Sequence, residues 1–471
     1  MLGKTRRVHF VGIGGIGMSG IAELLANLGY AVSGSDRQAS EVTERLASFG
    51  VRVDVGHAAA NVGEADVVVF SSAIRDDNPE LVEARARHVP VIPRAEMLAE
   101  LMRLRVGIAV AGAHGKTSTT SMVALVLERA GLDPTAVIGG RLSAFGSNAR
   151  LGRGEYMVVE ADESDRSFLR LSPSIAVMTN IDREHMEAYG SFADLQQAFV
   201  DFANKVPFYG AVVASADDAG LAAVRPRLTR RTITYGIDTD DAHLRATGVV
   251  LEGFGSRCTV TRRASPGGAA RELGPLTLQV PGRHSVANAL AAVAVGLELD
   301  VPFAVIADAL AGFRGAERRF QVAGRAGGIT VVDDYGHHPT EIEAVVAAAR
   351  AARPARIVIA FQPHRYTRTR DLLDDFGATL ARADEVVLTP IYAASEEPIP
   401  GVTVERLADA VRAHGGSAVH VVSAVADLPE KVAGIAREGD LVLTMGAGSI
   451  GGTAPAVLAA IEARAGRRGG H

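Results

Sequence analysis

Apolar runs recur along this chain, and several are followed by a stretch with apolar residues at 3–4 spacing. Arg7–Val11, Tyr30–Gly34, Asp66–Phe70 and Val89–Ile92 read as short buried strands. Between the first two, Ala22, Leu25 and Leu28 share a helical face and Gly29 closes the helix. Val106–Val110 is a further strand, and Thr117–Ala130 a helix with Met122, Leu125, Val126 and Arg129 at 3–4 spacing and Gly131 in the stop position. Tyr156–Glu160 and Ile175–Thr179 repeat the strand pattern, and it restarts at Ile329–Asp333, Arg356–Phe361, Glu385–Thr389 and Leu441–Met445. Apolar strands alternating with helices predict parallel sheets. The fold class is therefore α/β, with three domains at 1–103, 104–316 and 317–471, each a mostly parallel sheet flanked by helices. Gly236–Gly274 breaks the rhythm and is expected to form short strands and loops.

Chemistry gathers in the turns that follow strands. Gly112-Ala-His-Gly-Lys-Thr117 lies between a strand and a helix N-terminus, where free N–H groups and the helix dipole favour an anion. Gly112 and Gly115 let the backbone close around a phosphate, Lys116 can reach β/γ-phosphates, and the Thr117 hydroxyl can hold Mg²⁺. The strict phosphate-loop pattern has glycine where Val110 stands, so this is a shortened variant. Gly12-Ile-Gly-Gly-Ile-Gly17, with Asp36 after the next strand, is a dinucleotide fingerprint. Any pyrophosphate can dock on such a turn, so NAD and another diphosphate both remain open, as does a packing role for the glycines.

Two acidic stretches, Glu160-Ala-Asp-Glu-Ser-Asp165 and Thr179-Asn-Ile-Asp-Arg-Glu-His-Met186, stand at strand ends, where ligands of open α/β sheets bind. Their carboxylates and histidine suit Mg²⁺ beside a nucleotide. In the last third, four polar loops follow strands: Asp333–Pro339, Gln362–Thr369, Pro390–Pro398 and Gly446–Ser449. Arg365 and Arg368 are suited to a small carboxylate, which a guanidinium grips bidentately. The pair His337-His338 does not by itself imply zinc.

Composition narrows the classes. The 471 residues suit about three domains. A net charge of −5 argues against a general nucleic-acid or membrane-surface role. The single Cys258 excludes an intramolecular disulfide and most cysteine metal sites, so a reducing cytoplasm is the expected home. The basic start and apolar Val8–Gly20 imitate a secretion signal, but His9 and the glycines interrupt it. The longest apolar region, about Ala289–Phe313, carries Glu298, Asp300, Pro302 and Asp308, so no membrane span is expected.

Together these motifs resemble the Mur ligases, in family order and over nearly the whole chain. The stretches that carry the resemblance include Val11–Ser19, Gly112–Ser118, Glu160–Asp165, Thr179–Met186, Gly282–Ala289, Arg318-Arg-Phe-Gln321, Asp333–Thr340, Gln362–Thr369 and Leu443–Gly448. Asp-Asp-Tyr-Gly-His-His-Pro and Gln-Pro-His-Arg-Tyr-Thr-Arg point to the alanine-adding branch. Asp182-Arg-Glu-His185 departs from the usual Glu-x-Asp-His but keeps the charge, and no counterpart of the carbamylated lysine of some sister ligases is evident.

The resemblance implies a Rossmann-like N-terminal domain, a P-loop central ATPase domain and a Rossmann-like C-terminal domain. It implies a cytoplasmic ligase in peptidoglycan precursor synthesis, monomeric or weakly dimeric, with ATP and Mg²⁺ as cofactors and UDP-N-acetylmuramate and L-alanine as substrates. ATP would phosphorylate the lactyl carboxylate, and the alanine amine would displace phosphate. Lys116, Glu160, His185 and Arg365 would be catalytic. Of the metal ligands, Thr117 and Glu160 would hold one Mg²⁺, and His185 a second metal position or the acyl-phosphate oxygens. Gly112, Ala113, His114, Gly115, Lys116, Thr117, Ser118, His284, Asn288 and Arg319 would contact the nucleotide. Gly14, Gly15, Asp36, Ser71 and Ser72 would hold the UDP moiety, and Tyr335, His364, Arg365 and Arg368 the alanine. The alternatives are a murein tripeptide recycling ligase of the same family, an NAD(P)-dependent dehydrogenase using the first domain, and a nucleotide sensor with a dead ligase site. Intact Lys116, Glu160 and His185 count against the last.

Overall fold

The computed structural model describes residues 5–71, 73–142, 147–265, 268–415 and 418–468. Three sheets form, each flanked by helices, as the alternation predicts. The first contains β1 (Arg7–Val11), β2 (Ala31–Asp36), β3 (Arg52–Val55), β4 (Val67–Phe70) and β5 (Val91–Pro93), all parallel in the order β3-β2-β1-β4-β5. The second contains β6 (Val106–Ala111), β7 (Thr135–Leu142), β8 (Ser147–Arg150), β9 (Tyr156–Glu160), β10 (Ile175–Met178), β11 (Ala211–Ser215), β12 (Thr232–Gly236), β13 (Leu244–Glu252), β14 (Gly255–Arg263) and β15 (Ala270–Leu278). Its order is β15-β14-β13-β12-β11-β10-β6-β9-β7-β8, so β6 is central, with β9 and β10 parallel on either side.

The third sheet contains β16 (Gln321–Ala326), β17 (Ile329–Asp334), β18 (Ile357–Phe361), β19 (Glu385–Leu388), β20 (Ala418–Val421) and β21 (Leu441–Met445), ordered β16-β17-β21-β18-β19-β20. Only β16 is antiparallel to its neighbour; β17, β21, β18 and β19 run the same way, so their following loops share one edge. By contact density the chain gathers into two compact units. One comprises residues 1–247, 259–276 and 287–313, the other 248–258, 277–286 and 314–471.

β6 earns its central place from composition: Ile108, Ala109 and Val110 are fully buried between neighbours on both sides. The helix after it, Lys116–Arg129, is buried on most sides, with Thr117, Thr119, Thr120 and Ser121 in its polar first half and then Met122 through Leu127. Gly236–Gly274 differs from expectation. Instead of short strands it supplies the nine-residue strands β13, β14 and β15, the first two joined by a two-residue turn at Gly253-Phe254. Cys258 and Val260 of β14 point inward while the intervening Arg257, Thr259 and Thr261 are more exposed. One buried face suffices to hold such a strand, and the polar face hid the alternation. Among the described residues no helix is long and apolar enough to cross a membrane.

Candidate active site

The turn after β6 is shaped by two glycines. Gly112 has φ +144°, and a Cβ there would fall 1.9 Å from Thr179 Oγ1. Gly115 has φ +79° at the helix N-terminus, and its Cβ would fall 2.7 Å from Asn288 Oδ1. The backbone thus passes where only glycine fits. Neighbouring β10 props the turn. The His114 N–H donates to Asn180 Oδ1 at 2.8 Å, and the His114 carbonyl accepts from Thr179 Oγ1 at 2.6 Å and Asn180 Nδ2 at 3.0 Å. His114 Nε2 lies 2.9 Å from Asp182 Oδ2. Ala113 is buried and Ser118 half-buried beside them.

Lys116 folds back into this turn. Its ammonium donates to the carbonyls of Gly112 and Ala113 at 2.7 and 3.1 Å and to Glu163 at 2.9 Å. Burial alone would lower the ammonium, but the carboxylates of Glu163, Glu160 and Asp162 outweigh it and raise its pKa. Burial pushes Glu163 up to about 7 against the pull of Lys116. Thr117 Oγ1 donates to Glu160 Oε1 at 3.1 Å, and Glu160 Oε2 accepts from the Gly139 N–H at 2.7 Å. Register explains the approach: Glu160 on β9 pairs with Val110 on β6, two residues before Gly112. One ligand atom each from Glu163, Glu184 and His185 lie within 4.8 Å of one another, and His185 holds a left-handed φ of 56°. Carboxylate and hydroxyl oxygens beside an anion turn fit Mg²⁺.

At the first sheet, the fingerprint turn hangs on β2. Gly12 and Ile13 N–H donate to the Ser35 carbonyl, both at 2.9 Å, and Gly15 N–H to the Gly12 carbonyl at 3.2 Å. Asp36 Oδ2 accepts from the Gly14 N–H at 2.8 Å, so this carboxylate braces the turn itself. The Ser71 hydroxyl lies 3.7 Å from where a Cβ on Gly12 would stand. Ser72 lies outside the described residues.

In the second unit, the edge of β17, β18 and β19 carries a row of rings. Tyr335 and His337 have centroids 5.3 Å apart, His337 and His364 5.7 Å, and His364 stacks on Tyr392 at 5.5 Å. Burial, reinforced by Arg368, holds His364 down at about 4. Burial also lowers His337 to about 3, against the pull of Glu341. Arg368 Nη1 is 3.4 Å from His364 Nδ1, and Arg365 reaches within 4.0 Å of Glu396. Neutral rings beside two guanidiniums form an anion-favouring surface. Arg319 lies over Tyr335 at 5.1 Å and pairs with Glu341 at 3.4 Å. His284 belongs to this unit too, lowered to about 4 by burial and then by Arg319.

Family models match in three consecutive segments. The "Mur ligase family, catalytic domain" covers residues 7–105, the "Mur ligase middle domain" 110–296, and the "Mur ligase, glutamate ligase domain" 318–448. Relatives named UDP-N-acetylmuramate–L-alanine ligase include that of Trichlorobacter lovleyi, 55% identical over 96% of this chain and 98% of its own. The Myxococcus xanthus protein of that name is also 55% identical, over 97% and 96%.

The chain belongs to the Mur ligase family.

Among solved structures, the UDP-N-acetylmuramate–alanine ligase of Thermotoga maritima superposes with TM-score 0.81 at 31% identity, covering 97% of this chain and 99% of that one. A murein peptide ligase of Psychrobacter arcticus shares the fold at TM-score 0.72 and 24% identity, with 97% and 99% covered. Within this Mur ligase, β6, β9 and β10 bring Lys116, Thr117, Glu160 and His114 together, and the helix Arg283–Glu298 sets Asn288 against Gly115. In the sequence, Asn180, Asp182, Glu163 and Glu184 stand out only as members of two acidic stretches, with no role for each. The available signal was the acid and amide content of both strand ends; which strands flank β6 was not legible.

Proposed function

We propose that this Mur ligase joins L-alanine to the lactyl carboxylate of UDP-N-acetylmuramate at the expense of ATP. The glycine turn of Gly112–Lys116 would cradle the triphosphate, with Ser118, Asn288, His284 and Arg319 as further nucleotide contacts. Lys116 would exchange Glu163 for the β/γ-phosphates and neutralise charge as the lactyl oxygen attacks the γ-phosphorus and ADP departs. Thr117 and Glu160 would hold Mg²⁺, which when bound screens phosphate charge and polarises the transferring group, and His185 would serve a second metal position or the acyl-phosphate oxygens. The alanine carboxylate would rest on Arg365 and Arg368 beside Tyr335 and His364. Its amine, having lost a proton to solvent, would attack the acyl carbon, and phosphate would leave, taking up the second nitrogen proton, as the amide forms. Gly14, Gly15, Asp36, Ser71 and Ser72 would hold the uridine diphosphate end. In domain terms this assigns the sugar nucleotide to residues 1–103, ATP to 104–316 and the amino acid to 317–471, with the work done in the cytoplasm.

The single observation that supports this reading most is the half-buried Lys116 in a glycine turn flanked by the acid-bearing ends of β9 and β10. The relatives' shared name for an alanine ligase favours alanine over a preformed tripeptide as acceptor. Lys116→Ala should abolish ADP formation, by more than about a thousandfold, while binding of UDP-N-acetylmuramate measured by calorimetry stays within about twofold. Loss of both would mean that the two sites are misplaced.

A further inference from the structure

In the second sheet, β6, β10, β11, β12 and β13 run parallel, so the phosphate turn and the acidic stretches share its carboxyl edge. A cavity of about 180 Å³ lies on the opposite edge. Arg231 enters it just before β12 and His243 just before β13. Arg262 and Arg263, at the end of β14, stand beside them, and the Arg263 N–H donates to the His243 carbonyl at 2.8 Å. Ile233, Leu244 and Leu297 supply the apolar lining.

The polar groups of this cavity are donors. Its one carboxylate, Glu298 at the end of the helix Arg283–Glu298, is held by both terminal nitrogens of Arg231, so that pair is neutral. Arg262 makes no hydrogen bond or ion pair among the described residues. Arg263 places Nη1 on the Gly268 carbonyl. His243 is a donor fixed by its neighbour. Its Nδ1 accepts from the Thr234 N–H at 3.1 Å, and an accepting ring nitrogen carries no hydrogen, so the neutral ring keeps its proton on Nε2. Thr234 Oγ1 accepts from the His243 N–H at 3.1 Å and lies 2.8 Å from the same Nδ1. Burial lowers the pKa of this ring against the pull of Asp241, and Arg225 and Arg262 lower it further.

We propose that this cavity binds the phosphoryl group of a small ligand, with Arg262, Arg263 and the His243 Nε2–H as its donors. A phosphate offers three acceptor oxygens to donors arriving from two strands, whereas a carboxylate offers two. The volume is below the about 300–1,000 Å³ of sites for drug-sized ligands. The occupant is therefore inorganic phosphate, or a phosphomonoester whose short body lies against Ile233 and Leu244. None of the lining residues has a part in the reaction proposed above, so the inference stands apart from it. The competing role is structural, with cations covering the carboxylate-bearing end of the helix. Arg231 already meets Glu298, and Arg262 makes no such pair.

Calorimetric titration of the full chain, without Mg²⁺, against inorganic phosphate and separately against glycerol 3-phosphate tests the proposal. Kd should be at or below about 1 mM, and the tighter probe identifies the source of the phosphoryl group. Arg262→Ala should weaken binding about 10- to 100-fold, the loss of a hydrogen-bonded charge contact, and Arg262→Lys should weaken it less. Without ligand, the thermal midpoint of Arg262→Ala should match the wild type, because this side chain holds nothing in the free protein. The rise in midpoint that phosphate gives the wild type should be lost. Lys116→Ala, which removes the cation of the phosphate turn, should bind both probes as the wild type does. No binding of either probe to the wild type would overturn the proposal. So would wild-type binding in Arg262→Ala, or a loss in Lys116→Ala equal to that in Arg262→Ala. Acetate bound as tightly as phosphate would overturn the phosphoryl assignment.

Discussion

Gly112 and Thr179 meet so closely that the phosphate turn has no slack. A Cβ on Gly112 would sit 1.9 Å from the Thr179 hydroxyl, at a backbone φ of +144°. Gly112→Ala should therefore cost on the order of 3 kcal/mol of stability, from overpacking and strain together. Thermal unfolding would show the loss, and ATP binding should vanish with it; an unshifted midpoint would refute the crowding argument. His337 offers a test of a different kind. Burial holds it at about 3, below its ordinary 6.5, so the fold favours the neutral ring. The unfolded chain takes up the proton first. Its contribution is thus intact above about pH 6.5 and is lost as the pH falls towards the folded value. His337→Gln should lose less stability than the wild type between pH 7 and 4.5, by on the order of 2 kcal/mol. Denaturant titrations with parallel pH curves would contradict this.

At the scale of elements, the order β10-β6-β9 is what turns separate motifs into one site. Lys116 and Thr117 were legible in the sequence because the strand–turn–helix pattern that positions them is local. So was Glu160, as a carboxylate at a strand end. Glu163, Asn180 and Asp182 were not, since their reach to the turn depends on which strands lie beside β6, and no short-range pattern carries that. The same limit explains β13–β15, where an outward polar face concealed strands that bury one side. The parallel run of β17, β21, β18 and β19 places the arginine-bearing loop after β18 on one edge with the tyrosine-bearing loop after β17. If that edge holds the amino acid, Arg365→Ala should raise the KM for alanine about 10- to 100-fold, the value of a lost charged contact, and leave the KM for ATP nearly unchanged. Steady-state kinetics showing the reverse would move the amino-acid site elsewhere.

For the whole molecule, three sheets were legible from the restarts of the strand–helix pattern, and three family segments follow the same order. The gathering of residues 248–258 and 277–286 with the last third was not legible, because it depends on long-range packing of β14 and the strand after it. The proposed reaction needs three ligands, and each is assigned its own sheet. The chemistry then demands an order: a phosphoryl transfer to the lactyl carboxylate, followed by amide formation that releases the phosphate. The most direct measurement is inorganic phosphate release by the purified chain with ATP, UDP-N-acetylmuramate and L-alanine all present, and with each left out in turn. Phosphate should be released, one per amide, only with all three, and almost none when any is missing. Steady release of phosphate without the sugar nucleotide, or no release with the full set, would contradict it.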